Sequence, residues 1–264
     1  MPKKLSNPWW LWPNILSLDA PFVALSWQWL LHRSFDIPLP FRLQATLGIA
    51  VWIIYVLDRC LDVWKENADT LSTARHRFYR QYWFPMLALA VLTGSVMLWL
   101  ARFHLHPIMF TSGIGLGVLI LGYLMLVQRF TRIFHLTGLK EASVGILFAI
   151  GVTLNLWIKL PLKSWGFHLA FIAFAILCTL NCLLIHGWEL TSRPRQTAWL
   201  RWTLTLLPLL FLILMRDRLP LALCFGFSSL GLALLGWTGW RLDASLRRVL
   251  VDAVLLTPLL FIER

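Results

Sequence analysis

The chain has 264 residues, of which 59% are hydrophobic and only 14% charged, and its mean hydropathy is +0.71. Soluble domains carry about a quarter charged residues, so this composition excludes an ordinary water-soluble protein and describes a polytopic membrane protein. The net charge of +12 does not point to nucleic acid. No stretch is both long and polar enough for such a module, and the basic residues lie between apolar runs, where they set topology and meet anionic lipid heads or anionic substrate.

One helix bundle accounts for residues 1–264, with no second domain. The opening "MPKK" leads into a Trp/Pro-rich stretch rather than a cleavable signal, so the first apolar segment is expected to stay as a span. Apolar segments at 15–32, 43–62, 83–101, 108–127, 141–158, 166–188, 202–215, 220–240 and 249–262 predict about nine transmembrane helices. A helix needs about 20 residues to cross the hydrocarbon core, so 202–215 and 249–262 must borrow flanking residues or cross a thinned region. No segment alternates with period two for long enough to suggest strands. With the N-terminus cytoplasmic, the inner segments hold 16 Lys and Arg residues and the outer segments 8. That bias fits the positive-inside rule and puts the C-terminus outside.

In span 1, Asp19 precedes Pro21. An acid within the membrane faces the bundle interior and needs a partner. It either handles protons or bonds backbone freed by the proline. Asp252 in span 9 poses the same choice, with Arg247 and Arg248 just before it.

Span 2 ends in "VWIIYVLDRCLDVW", which carries Asp58 and Asp62 one helical turn apart on one face. Two like charges there repel and resist desolvation. Mg²⁺ resolves both problems, since it takes one or two carboxylates plus substrate phosphates. A solvated helix end neutralised by Arg59 resolves them as well. The cytoplasmic segment that follows has a helix start at Ser72 or Thr73, and then "ARHRFYR" supplies Arg75, His76, Arg77 and Arg80. Arginine binds phosphate oxygens bidentately, while positive-inside topology also accounts for basic residues here.

Lys140 and Glu141 open span 5, as a phosphate ligand or as an interfacial helix start. Span 6 closes with "NCLLIHGWELTSRPR", where Asn181, His186 and Glu189 interrupt an apolar helix. Asn181 and Glu189 lie about 80° apart around the helix and can face one wide cavity. Cys182, His186 and Glu189 form a stripe that resembles a soft-metal site, but Cys182 is more simply a packing residue. The four cysteines, Cys60, Cys178, Cys182 and Cys224, contain no CxxC and are expected as buried free thiols. Of the 16 tryptophans, those near span ends suit an interfacial belt. Rings at Trp27, Tyr55 or Trp157 are candidates to line a tunnel and face a cation.

This layout resembles the UbiA superfamily of intramembrane prenyltransferases. The likeness covers nearly the whole chain, and its motif is the family's NxxxDxxxD after span 2. Here the sequence reads "IYVLDRCLD": Asp58 and Asp62 match, and Ile54 replaces the Asn. The second Asp-rich motif is reduced to "NCLLIHGWE", with Asn181 and Glu189 where aspartates are expected and His186 foreign to the pattern. The resemblance implies Mg²⁺-assisted ionisation of an isoprenyl diphosphate and transfer of the prenyl group to a lipophilic or aromatic acceptor. It places metal at Asp58 and Asp62, with Asn181 and Glu189 completing the catalytic pole. Arg75, Arg77 and Lys140 are expected to bind diphosphate, and the active site to face the cytoplasm. The alternatives are a terpene cyclase of the same superfamily and a non-catalytic isoprenoid- or lipid-binding membrane protein. A transporter fits less well, because paired Gly/Pro-broken helices are not evident.

Overall fold

Backbone removed from water must satisfy its own hydrogen bonds, and the helix does so within one segment. In a computed structural model, which describes residues 8–65, 73–129, 138–161, 164–190 and 198–261, the chain is helical and shows no strand among the described residues. The side chains of Lys65, Gln128, Glu189 and Leu190 also lie outside the description. A short helix, α1 (Trp12–Ile15), precedes α2 (Asp19–Ser34), α3 (Phe41–Lys65), α4 (Ala74–His104) and α5 (Pro107–Arg129). Then come α6 (Leu139–Lys159), α7 (Trp165–Leu190), α8 (Ala198–Leu214), α9 (Leu219–Thr238) and α10 (Ala244–Val254).

Eight of the nine expected spans fall on α2 to α9, whereas the ninth, 249–262, overlaps α10 only over 249–254 and continues into a 3-10 turn over Thr257–Phe261. Five segments, Ala74–His104, Pro107–Val127, Leu139–Lys159, Trp165–Trp188 and Arg216–Arg241, are long and apolar enough to cross a membrane. α8 is apolar but has 17 residues, while α2 has 16 and α10 has 11. α3 has the length, with 25 residues, but its last turns carry Asp58, Arg59 and Asp62. α4 and α5 turn most of their apolar side chains outward, including Leu92, Trp99, Val118 and Met125. Lipid covers such surface; water does not.

Local chemistry sets the helix ends. Thr73 caps α4 by accepting from the His76 N–H at 3.2 Å, as its sequence position suggests. The helix therefore begins at Ala74, nine residues before the expected span at 83. It kinks at Tyr82, whose backbone is non-helical, three residues before Pro85. Pro85 has no N–H for the carbonyl one turn back, and its ring crowds that carbonyl. Pro220 sits in the first turn of α9, where a missing N–H is harmless.

The core centres on Trp27, which is fully buried. Its ring stacks on Phe174 at 4.8 Å and packs against Phe225 at 4.7 Å. Its indole N–H donates to the Leu255 carbonyl at 2.8 Å. One side chain thus joins α2, α7, α9 and the end of α10. A smaller cluster of Val56, Cys60, Val63, Tyr79 and Met86 locks α3 to α4. All four cysteines are free.

α6 and α7 cross at Gly145. A Cβ there would lie 2.6 Å from the Thr179 amide nitrogen and 2.9 Å from its Cα. Backbone cannot yield as a flexible side chain can, so Gly145→Ala forces the two helices apart. We expect a loss of about 2 kcal/mol, seen as a lower Tm in detergent micelles, whereas Gly122→Ala, which meets nothing within 4 Å, leaves Tm unchanged.

Candidate functional site

Residues of α2, α3, α5, α6, α7 and α10 line a cavity of about 400 Å³, within the range of small-molecule sites. Most of its wall is apolar: Leu47, Ile54, Leu116, Ile120 and Phe148 contribute from α3, α5 and α6. Gly113 and Gly117 line it from α5, and a Cβ at either would meet nothing within 4 Å. The absence of side chains there is what leaves this part of the cavity open. The Tyr123 hydroxyl donates to the Lys140 carbonyl at 3.0 Å and ties α5 to the start of α6.

One pole of the cavity is charged. Arg59, Arg75, Lys140 and Arg248 line it together with Asp19, Asp58, Glu141 and Asp252. α3 brings Asp58 and Arg59 from its last turns, and α4 brings Arg75 from its first turn. α6 contributes Lys140 and Glu141 from its start, and α7 contributes Asn181 and His186 near its end. Helix ends thus gather at one level of the bundle, where polar side chains are least costly to place.

The structure therefore brings four of the expected residues, Asp58, Arg75, Lys140 and Asn181, to one cavity. Asp62 and Arg77 are not among the lining residues; Arg77 is exposed on α4. The Glu189 side chain lies outside the described residues. Among the candidate rings, Tyr55 lines the cavity, but Trp27 is in the core and Trp157 packs on Phe167 and Phe171. Burying a large aromatic surface in the core outweighed presenting it to a ligand.

Asp58 and Asp62 share one counter-ion. Arg59 Nη1 lies 3.3 Å from Asp58 Oδ2 and 3.2 Å from Asp62 Oδ2. The arginine that sequence offered as neutraliser does neutralise the pair. The same geometry shows that both carboxylates converge on one point and can share one cation. No group of three or more His, Cys, Asp or Glu residues suited to a metal occurs among the described residues. Protein ligands alone thus give an incomplete shell. Two converging carboxylates suit Mg²⁺, which fills its shell with water and substrate phosphate.

Sequence reasoning missed two features. Glu141, read as a helix start, is buried and holds His186, with Nδ1 to Oε1 at 3.1 Å. Glu141 Oε2 and Asn181 Oδ1 are both buried without a hydrogen-bond partner. A carboxylate at the first turn of α6 and a histidine near the last turn of α7 meet because these helices are antiparallel neighbours. The other is the place of Arg248, noted in the sequence only as a neighbour of Asp252: it precedes Asp252 by one turn of α10 and lines the same cavity. The i, i+4 spacing was the available signal.

Removing Arg59 leaves two like charges one turn apart, each with about a quarter of its side chain exposed. Arg59→Ala is expected to cost about 2 kcal/mol, read as a drop in Tm in micelles. The triple change Asp58→Asn/Arg59→Leu/Asp62→Asn recovers most of it, because an apolar replacement removes the desolvation penalty with the charges. Equal Tm values for Arg59→Ala and the unaltered protein contradict a shared counter-ion.

No family model, no curated protein and no solved structure matches this chain, so the functional reading rests on the residues and their geometry.

Proposed function

We propose that the chain is an integral-membrane prenyltransferase resembling the UbiA superfamily. It crosses the membrane nine times, with a cytoplasmic N-terminus and a cytoplasm-facing active site. The observation that carries this reading is the single cavity in which Asp58, Arg75, Lys140 and Asn181 meet at a charged pole that continues into apolar walls. A prenyl diphosphate has this same division, with a polyanionic head and a hydrocarbon tail.

Arg75 and Lys140 bind the diphosphate oxygens, Arg75 through its planar fork and Lys140 as a point charge. Asp58 and Asp62 are the residues that would hold Mg²⁺. When bound, the ion neutralises charge growing on the departing diphosphate. Arg59 holds the two carboxylates until then, and on substrate binding its guanidinium turns from them toward phosphate. The apolar wall from Leu47 to Phe148 takes the chain and keeps water from the allylic cation. The Tyr55 ring, which also faces the cavity, presents its negative π face to that cation. A lipophilic or aromatic acceptor enters beside the chain. Membrane lipids surround the bundle, and no nucleic acid takes part.

Two outcomes test this. With geranylgeranyl diphosphate and Mg²⁺ in micelles, Asp58→Asn is expected to release pyrophosphate about 100-fold more slowly than the unaltered protein; equal rates sink the proposal. Gly117 lines the cavity and a Cβ there meets nothing within 4 Å, so Gly117→Phe places its ring in open cavity space. It is expected to slow turnover of geranylgeranyl diphosphate about tenfold relative to geranyl diphosphate, with Tm unchanged. An unaltered ratio means that the chain does not lie along α5.

A further inference from the structure

Arg201 is a buried cation with no carboxylate beside it. It lies in the first turn of α8 with 7% of its surface exposed, and no ion pair among the described residues includes it. Its stem crosses Gly236 of α9, where a Cβ would stand 3.0 Å from Arg201 Cγ. Its Cζ lies 4.4 Å from the centre of the Trp237 ring, and its Nε is buried with no hydrogen-bond partner. One turn along the same face, Trp188 from α7 packs on Gly239, 2.8 Å from a Cβ placed there. Arg247 from α10 lies over the Trp188 ring with its Cζ at 5.3 Å, and it too enters no ion pair among the described residues. The indole nitrogens of Trp188 and Trp240 are buried without a partner. None of these residues lines the cavity.

The three orphaned atoms, Arg201 Nε, Trp188 Nε1 and Trp240 Nε1, are all N–H donors. An anion would satisfy donors and charge together. Packing alone does not account for the arginine. Leu or Met would fill the space beside Gly236 without burying a charge, and one aromatic face offsets only part of that cost. Asp243, one turn before Arg247, is exposed, and its carboxylate accepts from the Ser245 N–H at 2.9 Å. The start of the 17-residue α8 adds the positive end of a helix dipole.

The surrounding rings fix the depth of this cluster. Trp199, Trp202 and Trp237 are 58%, 56% and 45% exposed, and the Trp202 and Trp237 rings meet edge to face at 5.5 Å. Outward tryptophans near span ends lie at the level of the lipid headgroups. The ring that covers Arg201 therefore stands where lipid phosphate is the abundant anion.

We propose that Arg201 and Arg247 bind the phosphate of an anionic phospholipid at the ends of α7 and α9 and the starts of α8 and α10. The guanidinium edge of Arg201 takes phosphate oxygens while its flat face stays on Trp237. Phosphatidylglycerol suits the two arginines better than phosphatidylcholine, whose own ammonium group already neutralises its phosphate. The seated lipid ties four helix ends together. This site is separate from the cavity and does not depend on prenyl transfer.

Purified protein in dodecyl maltoside micelles is titrated with phosphatidylglycerol, phosphatidylcholine or inorganic phosphate. Bound lipid is counted by native mass spectrometry, and Tm is recorded. Phosphatidylglycerol is expected to bind about tenfold more tightly than phosphatidylcholine and to raise Tm; inorganic phosphate at the same concentration leaves Tm unchanged. Arg201→Gln, which keeps most of the stem, and Arg247→Gln each bring phosphatidylglycerol to the affinity of phosphatidylcholine. Arg216→Gln, exposed beyond the far end of α8, preserves the preference. Equal affinity for the two lipids in the unaltered protein overturns the proposal, and so does an intact preference in both Gln variants. If inorganic phosphate reproduces the Tm rise and displaces phosphatidylglycerol, the site takes a small anion and the lipid assignment falls. The lipid comparison uses the unaltered protein, and Arg247 is only half-buried, so a failure of Arg201→Gln to fold leaves the test intact.

Discussion

Charge in an apolar bundle is tolerated only where it is paired, and this constraint organises the polar end of the molecule. Arg59 lies between Asp58 and Asp62, Glu141 holds His186, and Asp19 accepts from Asn14. Each pairing joins groups whose isolated burial would be strongly unfavourable. The Glu141–His186 contact ties the start of α6 to the last turns of α7, and the Asn14–Asp19 bond ties α1 to α2, which gives the pole its shape. The rest of the bundle, from the Trp27 core to the Gly145 crossing, holds those helix ends at a common level.

The cavity follows from the same division. α6 to α9 pack closely around small residues and aromatic rings. α5 carries glycines on its inner side and makes few contacts beyond α6, so open space remains where side chains would otherwise interdigitate. That space is apolar because α3, α5 and α6 present Ile54, Leu116, Ile120 and Phe148 to it. A site with charge at one end and hydrocarbon walls at the other selects ligands with that same polarity, whatever reaction they undergo.

Helicity and the positions of the helices were legible in the sequence, because hydropathy marks them directly. So was the α4 start at Thr73, where a capping side chain ends a polar stretch. The gathering of Asp58, Arg75, Lys140 and Asn181 was legible as a group on one side of the membrane. Which other side chains join them was not. Glu141 looked like a helix start because its partner lies 45 positions away on α7, and local spacing does not report such a contact. Tyr55 and Trp27 looked alike as aromatic residues within spans. The difference between cavity wall and core depends on the rotation of each helix about its axis, and the nearly uniform apolarity of these helices leaves that rotation undefined. α3 escaped the simple hydropathy criterion for the opposite reason: the polar residues that lower its apolarity are those it brings to the cavity.

Charge balance bears on the metal. Arg59, Arg75, Lys140 and Arg248 line the cavity with Asp19, Asp58, Glu141 and Asp252, four basic side chains against four acidic ones. Their formal charges cancel, so the lining by itself offers no surplus to neutralise a diphosphate. On the proposed reading a divalent cation therefore arrives with the substrate, and Arg59 becomes available to phosphate as it leaves the two carboxylates. The pole can then admit an anionic head without first carrying an unpaired excess of positive charge into an apolar bundle.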